Sequence, residues 1–173
     1  VIKDLATYVE QVTVQNFTMN GSSLTIMTDP ALASHAAVDP GGQTAAFQIL
    51  DSSVNILAVD IKPTSAVNYG IQASASYVTI SSVNVDSGGN ITVAGISLQG
   101  YSSVADSSVT VQAANGIELG GSNNAVSYSI AVAGNAANVA LSLNSSSANV
   151  ITQNFITNSL GRALNLDASH NNT

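Results

Sequence analysis

A four-residue pattern recurs along most of the chain at intervals of 21 to 25 residues. Each copy reads small, apolar, polar, apolar, the alternation of a half-buried β-strand. The copies begin at Ala46, Gly70, Gly95, Gly116, Ala140 and Ala163. A unit of this length cannot bury an apolar face alone, so successive units have to stack on one another. The repeat therefore restricts the chain to a stacked architecture built from short strands.

Two further alternating segments follow in most units, separated by clusters of Ser, Asn and Asp. The second segments begin at Val54, Val78, Val126 and Val150, and the third at Val59, Val83, Val109, Ile130 and Phe155. Residues 12–19 and 24–27 indicate an earlier turn. Three strands per unit predict an all-β fold, a right-handed parallel β-helix of about seven coils and roughly 30–35 Å in length. We expect one domain over residues 1–173, a segment of a larger protein, with a loop excursion at residues 29–42.

The alternation also predicts which side chains of the first strand face the core. The inward pairs are Phe47/Ile49, Ile71/Ala73, Ile96/Leu98, Ile117/Leu119, Leu141/Leu143 and Leu164/Leu166. Where the chain enters this sheet, we expect Gly70, Gly95 and Gly116 to use positive φ and the alanines to avoid crowding.

The outward positions of the same strand form a row of amides, hydroxyls and one carboxylate. The row reads Gln48, Gln72, Ser97, Glu118, Ser142 and Asn165. Gln48, Gln72, Glu118 and Asn165 are candidate carbohydrate-binding residues, and an ordinary solvated face is the alternative. The aromatic candidates near the strands for stacking on sugars are Tyr77, Tyr101 and Tyr128.

Charge excludes several classes of function. The 173 residues contain three Lys and Arg against ten Asp and Glu, for a net charge of −7, and no Cys. Three cations cannot neutralise a row of phosphates, so no nucleic-acid partner is expected. Cysteine chemistry is excluded, and no apolar run approaches the roughly 20 residues of a membrane span. A low-charge, acidic, cysteine-free composition favours an extracellular or cell-surface location.

The ionisable residues suggest two candidate sites. Alternation on the third strand places Asp60, Lys62, Asn84 and Asp86 on one exposed patch, where Asp60, Lys62 and Asp86 are the catalytic candidates. Asp60 and Asp86 are also candidate Ca²⁺ ligands, because Ca²⁺ prefers carboxylate and amide oxygens. A solvated ion pair is the alternative, and no other cofactor is expected.

The second candidate site lies in the predicted 29–42 loop. Loops that leave a regular scaffold often carry binding residues. Asp29, His35 and Asp39 could form an acid/base or metal cluster there, although their spacing matches no motif.

Residues 10–21, followed by the G-I-x-L coils, resemble the right-handed parallel β-helix superfamily of pectate lyases. The superfamily includes polysaccharide lyases and hydrolases, mannuronan epimerases, phage tailspikes and surface adhesins. Epimerases of this fold carry Y-G-F-D-P-H, and the similar stretch here is Tyr69-Gly70-Ile71-Gln72-Ala73-Ser74. Gln72 and Ser74 stand where the resemblance implies an acid and an imidazole, and a neutral amide cannot act as a general base. The epimerase catalytic motif is therefore not retained.

Scarce ionisable groups favour a non-catalytic extracellular rod, a structural, adhesive or carbohydrate-facing segment of a surface or secreted protein. Its expected partners are a polysaccharide or surface glycan, and the rest of a parent chain or like subunits at open solenoid ends. A polysaccharide lyase, hydrolase or epimerase is the alternative function. A subunit that stacks end to end into filaments is the third.

Overall fold

The computed structural model describes residues 1–17 and 21–173, and in that part of the chain all regular structure is β-strand. The strands form three parallel sheets. Sheet 1 contains β2 (Val12–Val14), β5 (Ala45–Ile49), β8 (Val67–Ala73), β11 (Ile91–Leu98), β14 (Asn115–Leu119), β17 (Val139–Asn144) and β20 (Arg162–Asp167). Sheet 2 contains β3 (Leu24–Met27), β6 (Val54–Leu57), β9 (Val78–Ser81), β12 (Ser103–Ala105), β15 (Ala125–Ser127) and β18 (Val150–Thr152). Sheet 3 contains β1 (Thr7–Val9), β4 (Ala36–Asp39), β7 (Val59–Ile61), β10 (Asn84–Asp86), β13 (Ser108–Val111), β16 (Ile130–Ala133) and β19 (Phe155–Asn158).

Each strand pairs in parallel with the strand three positions later in the chain, so every three strands complete one turn of a β-solenoid. The described residues form six complete turns and the first two strands of another, one fewer full turn than the predicted seven. Residues in register occupy the same place in consecutive turns, as Ile96 and Ile117 do. The predicted parallel β-helix with three strands per turn is confirmed.

The predicted loop at residues 29–42 is interrupted by β4, which pairs with β1 and β7 of sheet 3. The sequence of β4, Ala-Ala-Val-Asp, has too few polar positions to show a period of two. The segment that leaves the solenoid is therefore shorter than predicted and ends before Ala36. Residues 18 and 19, at the end of the predicted early strand segment, lie outside the described residues.

The interior of the solenoid is a continuous column of aliphatic side chains with Phe47. The predicted inward pairs of sheet 1 from Phe47 to Leu143 are all buried. Leu164 and Leu166 of β20 are about half exposed, because within the described chain no later strand of sheet 1 stacks on them.

A column of small residues lies where each turn enters sheet 1, for a reason that differs from the prediction. The backbones of Gly70, Gly95 and Gly116 do not adopt positive φ, so the expectation of conformational freedom was wrong. A Cβ at Gly116 would instead overlap the carbonyl oxygen of Ala140 in the next turn. Close backbone approach, rather than left-handed geometry, requires small residues in this column.

Left-handed residues lie instead at the two corners on either side of sheet 2. Corner 1, between sheets 1 and 2, has a left-handed residue in each of six turns: Ser53, Tyr77, Tyr101, Asn123, Ala148 and Asn171. Corner 2, between sheets 2 and 3, uses Ala58, Ser82, Asp106, Tyr128 and Gln153 in the same way. A left-handed conformation costs an ordinary residue roughly 1–2 kcal/mol, and the stacking of the turns has to offset that cost.

The residue after each left-handed position in the later turns points a polar side chain into the corner and links it to the preceding turn. At corner 1, Asn149 Oδ1 accepts the backbone N–H of Asn124 at 2.8 Å, and Asn124 Oδ1 accepts that of Ser102 at 2.8 Å. The ladder continues through Ser102 Oγ to Val78 N and through Asn172 Oδ1 to Asn149 N. At corner 2, Ser107, Ser129 and Asn154 form the same ladder. Each buried polar side chain thereby satisfies a corner amide that the sheets leave unpaired.

Candidate functional site

Four side chains from three consecutive turns meet on the outer face of sheet 3 around the carboxylate of Asp60. Lys62 Nζ lies 2.8 Å from Asp60 Oδ2, and Asn84 Nδ2 donates to Asp60 Oδ1 at 2.9 Å. His35 Nδ1 lies 3.1 Å from the same Oδ1. We call His35, Asp60, Lys62 and Asn84 the Asp60 cluster.

Strand register explains most of this cluster. Asn84 pairs directly with Asp60 across β10 and β7, and Lys62 follows Asp60 by two residues on the same face. His35 comes from the turn before, at the end of the segment that leaves the solenoid just ahead of β4. The sequence placed Asp60, Lys62 and Asn84 together, but it grouped His35 with the wrong partners.

The Asp60 carboxylate is held in its ionised form. Burial disfavours the charge, but hydrogen bonds from Lys62 and Asn84, with the positive charge of Lys62, hold the pKa of Asp60 below its ordinary value. A carboxylate can only accept hydrogen bonds, so the His35 nitrogen that contacts it, Nδ1, carries a proton. In the neutral form of the ring, Nε2 is then the nitrogen with a free lone pair.

Replacing Lys62 with Met is expected to raise the pKa of Asp60, because the variant loses a hydrogen bond and a neighbouring positive charge while keeping the aliphatic stem. A carboxyl whose pKa is lowered by folding stabilises the native state above its unfolded pKa of about 3.9, and that stability is lost as pH falls through the folded pKa. In Lys62→Met the folded pKa moves toward the unfolded one, so Asp60 should contribute less stability above the unfolded pKa and should lose it over an interval that ends at higher pH than in the wild type. Carboxyl carbon shifts in an NMR titration measure the pKa, and Lys62→Arg is the control that keeps it low. An unchanged pKa in Lys62→Met would contradict the geometry.

A cavity of about 280 Å³ opens beside the Asp60 cluster. Its walls come from the loop before β4 and from the end of β3, and they comprise Met27, Thr28, Asp29, Pro30, Leu32, Ala33, Ser34, His35 and Ala58. A second cavity, of about 460 Å³, lies at the first turn between residues 1–10 and core side chains that include Val12 and Phe47. His35 lies on the wall of the first cavity.

The predicted grouping of Asp29, His35 and Asp39 does not form as a cluster. Asp29 accepts the backbone N–H of Ala31 within its own loop. Asp39 is buried, and hydrogen bonds from the hydroxyl of Thr64 and the backbone of Gly41 lower its pKa. Both carboxylates therefore stabilise turns, while His35 alone joins the Asp60 cluster.

The arrangement does not suit Ca²⁺. Asp60 Oδ2 is paired with an ammonium group, and Oδ1 faces the nitrogens of Asn84 and His35. Asp86 is exposed on the same face of β10, beyond Asn84. Among the described residues, no three carboxylate or imidazole side chains converge in a metal-binding arrangement. A Ca²⁺ ion, which takes six to eight oxygens, would have to displace Lys62 first.

The outward row of sheet 1 is in register as predicted, but its four candidate binding residues already have hydrogen-bond partners. Gln48 Nε2 donates to Gln72 Oε1 at 3.4 Å, and Gln11 donates to Gln48 from the preceding turn. Glu118 accepts a hydrogen bond from Asn115, and Asn165 accepts one from Arg162. These candidates form part of the sheet's own hydrogen bonding. The epimerase-like stretch, residues 69–74, comprises most of β8 and the residue after it. Its Gln72 belongs to this outward row.

The aromatic candidates lie at the corners and are exposed. Tyr77 and Tyr101 occupy the left-handed position of corner 1 in consecutive turns, and their rings stack with centroids 5.2 Å apart. Tyr128 occupies the equivalent position of corner 2. The three side chains are 58%, 55% and 61% exposed, respectively. Stacked exposed rings at a strained backbone position are a second candidate site.

The chain matches no protein-family model, and no curated protein or solved structure shows significant similarity to it. The structure supports a parallel β-solenoid fold but no relationship to the pectate-lyase-like proteins that the sequence resembles, and one fold hosts many functions. No helix in the described residues has the length and apolar character needed to cross a membrane.

Proposed function

We propose that this chain is a non-catalytic extracellular rod, a structural segment whose flank faces carbohydrate. The observation that carries the proposal is the unbroken hydrogen-bonded stacking of turns along the solenoid. Sheets 1 and 3 run through seven strands each, and both corners add side-chain ladders to the backbone pairing. Among the described residues, no buried side-chain nitrogen or oxygen lacks a hydrogen-bond partner. Such a stack supports a stiff spacer.

The outer surface supports the same function. Its side chains are mostly short hydroxyls and amides, which keep the rod soluble with few charges. The most prominent ionisable group, Asp60, is held as an anion by three neighbours. A carboxylate with a lowered pKa is a poor proton acceptor, since efficient acid/base groups titrate near the working pH.

Incubation with polysaccharides should leave them chemically unchanged. The test is a proton NMR comparison of polygalacturonate, alginate and xylan before and after incubation, with and without Ca²⁺. We expect identical anomeric regions in every sample. Cleavage, an unsaturated chain end or an inverted C5 centre that appears with the wild type would overturn the proposal. A His35→Ala/Lys62→Ala variant is the control that separates the Asp60 cluster from a contaminating enzyme.

The second candidate function is a polysaccharide lyase or epimerase, and the Asp60 cluster is the observation that favours it. Asp60 orients the His35 ring, so that Nε2 could take a proton from a sugar carbon held in the 280 Å³ cavity. Lys62 could then neutralise charge that develops on the sugar. This function requires activity that the His35→Ala/Lys62→Ala variant loses in the same experiment.

A further inference from the structure

The stacked pair Tyr77 and Tyr101 is the feature of the molecule least explained by its fold. Left-handed backbone geometry disfavours bulky side chains, and an aromatic residue there is an outlier. Most other turns use Ser, Ala or Asn at the same place of corner 1. The rings also remain more than half exposed, so burial in the core does not account for them.

The left-handed residues of corner 1 form a row along the rod, and in this row the two rings are flanked on each side by short side chains. We call each of these drops in surface height a step. Because the turns stack in register, Tyr101 is followed along the rod by Asn123 and then by Ala148. On the other side of the pair, the residue that precedes Tyr77 in this row is Ser53, whose side chain is short. Each tyrosine covers one face of the other, and each leaves its second face above a short residue. Asn171 continues this run of short side chains, so at about 4.8 Å per turn the step beyond Tyr101 is three turns long, roughly 14 Å.

Polar groups line the floor of the larger step. Asn123 is exposed, and the backbone N–H of Tyr101 donates to Ser122 O at 3.0 Å, which places Asn123 one turn beyond Tyr101. Beside it, the hydroxyls of Ser122 and Ser147 are 3.1 Å apart. The step therefore combines an aromatic wall with an amide and two hydroxyls on its floor.

We propose that the Tyr101 ring and the step beyond it, where Asn123 lies, bind a neutral β-linked pyranose chain. This is the binding site on the carbohydrate-facing flank of the proposed rod. A pyranose with equatorial hydroxyls has an apolar C–H face that packs on an aromatic ring, while its rim hydroxyls need donors and acceptors such as Asn123. The occupant is neutral because the chain carries a net charge of −7, which repels acidic glycans. The inference rests on the proposed rod function and adds a ligand class and a position.

The test uses calorimetry and NMR with cellohexaose as the probe and hexagalacturonate as the charged comparison. We expect cellohexaose to bind, to shift the ring resonances of Tyr77 and Tyr101, and to bind more tightly than hexagalacturonate. Tyr101→Ser should weaken binding about tenfold or more, because the stacking wall is lost. Asn123→Ala should weaken it to a smaller extent. Serine fits the backbone, since Ser53 and Ser82 adopt the same left-handed conformation.

Tyr128→Ser is the matched control, because Tyr128 is an equally exposed left-handed tyrosine at the other corner. Its affinity for cellohexaose should equal that of the wild type, and the unfolding midpoints of all variants establish that the rod is intact. Absence of cellohexaose binding by the wild type, or binding that Tyr101→Ser leaves unchanged, overturns this site while the rod function stands. Chemical change of the bound oligomer overturns the non-catalytic function instead.

Discussion

Gly116→Ala is expected to lower the free energy of unfolding by about 2–3 kcal/mol, the upper part of the range for overpacking a buried position. The added methyl group would overlap the carbonyl oxygen of Ala140, which belongs to the backbone of the next turn. A flexible side chain could rotate away, but this oxygen can move only if β14 and β17 separate. Separation would strain the parallel pairing that begins at the next residue, where Ile117 pairs with Leu141. Urea denaturation followed by circular dichroism measures the change.

Gly134→Ala is the matched control for this substitution. Gly134 follows β16, its φ is not positive, and an added Cβ would lie 3.6 Å or more from its neighbours. Its stability should stay within about 0.5 kcal/mol of the wild type. Equal stability of the two alanine variants would show that adjacent turns separate easily at Gly116, contrary to the packing described here.

The repeat made the architecture predictable because the same physical constraint acts in every turn. One alternating strand is weak evidence, but six copies at nearly equal spacing leave few alternatives to stacked parallel turns. Strands without a repeated pattern were missed. β12 has a Ser-Val-Ala sequence, and β4 lies in the segment that departs from the period.

The candidate site was predictable only where it follows the strand period. Asp60 and Asn84 occupy equivalent positions of consecutive turns, so alternation alone brings them together. His35 reaches Asp60 through an irregular loop, whose path the sequence does not encode in any period. The sequence therefore predicted three members of the cluster and assigned the fourth to carboxylates that stabilise turns elsewhere.

The corner ladders show a different limit of sequence interpretation. Ser and Asn clusters between strands predict turns, and polar side chains in turns are usually exposed to solvent. Here Ser102, Asn124 and Asn149 point inward and are buried. The sequence does contain a signal for these positions, because each of the three residues directly precedes a strand of sheet 2. It becomes interpretable only once the turns are stacked and the unpaired corner amides are known.

Asn149→Leu is expected to lower the free energy of unfolding by about 2–3 kcal/mol, although leucine has the same branching at Cγ and is apolar. Asn149 is fully buried, and its Oδ1 accepts the backbone N–H of Asn124. Its Nδ2 donates to Ser146 Oγ at 3.1 Å and to Asn172 Oδ1 at 3.0 Å. Leucine can supply none of these hydrogen bonds. Urea denaturation gives the free energy, and hydrogen exchange of the Asn124 amide should become faster.

The penalty arises because the partner of Asn149 is a backbone amide. When both members of a buried hydrogen bond are side chains, apolar replacement of the pair can be nearly neutral, but the N–H of Asn124 cannot be removed. Asn149→Ser tests this reasoning, since Ser102 and Ser129 fill the same role with a hydroxyl. Serine should retain slower exchange at Asn124 than leucine does and should cost less stability. If Asn149→Leu proved as stable as the wild type, the corner ladder would contribute nothing to the stacking of the turns, and the stiffness proposed for the rod would have to come from the sheets alone.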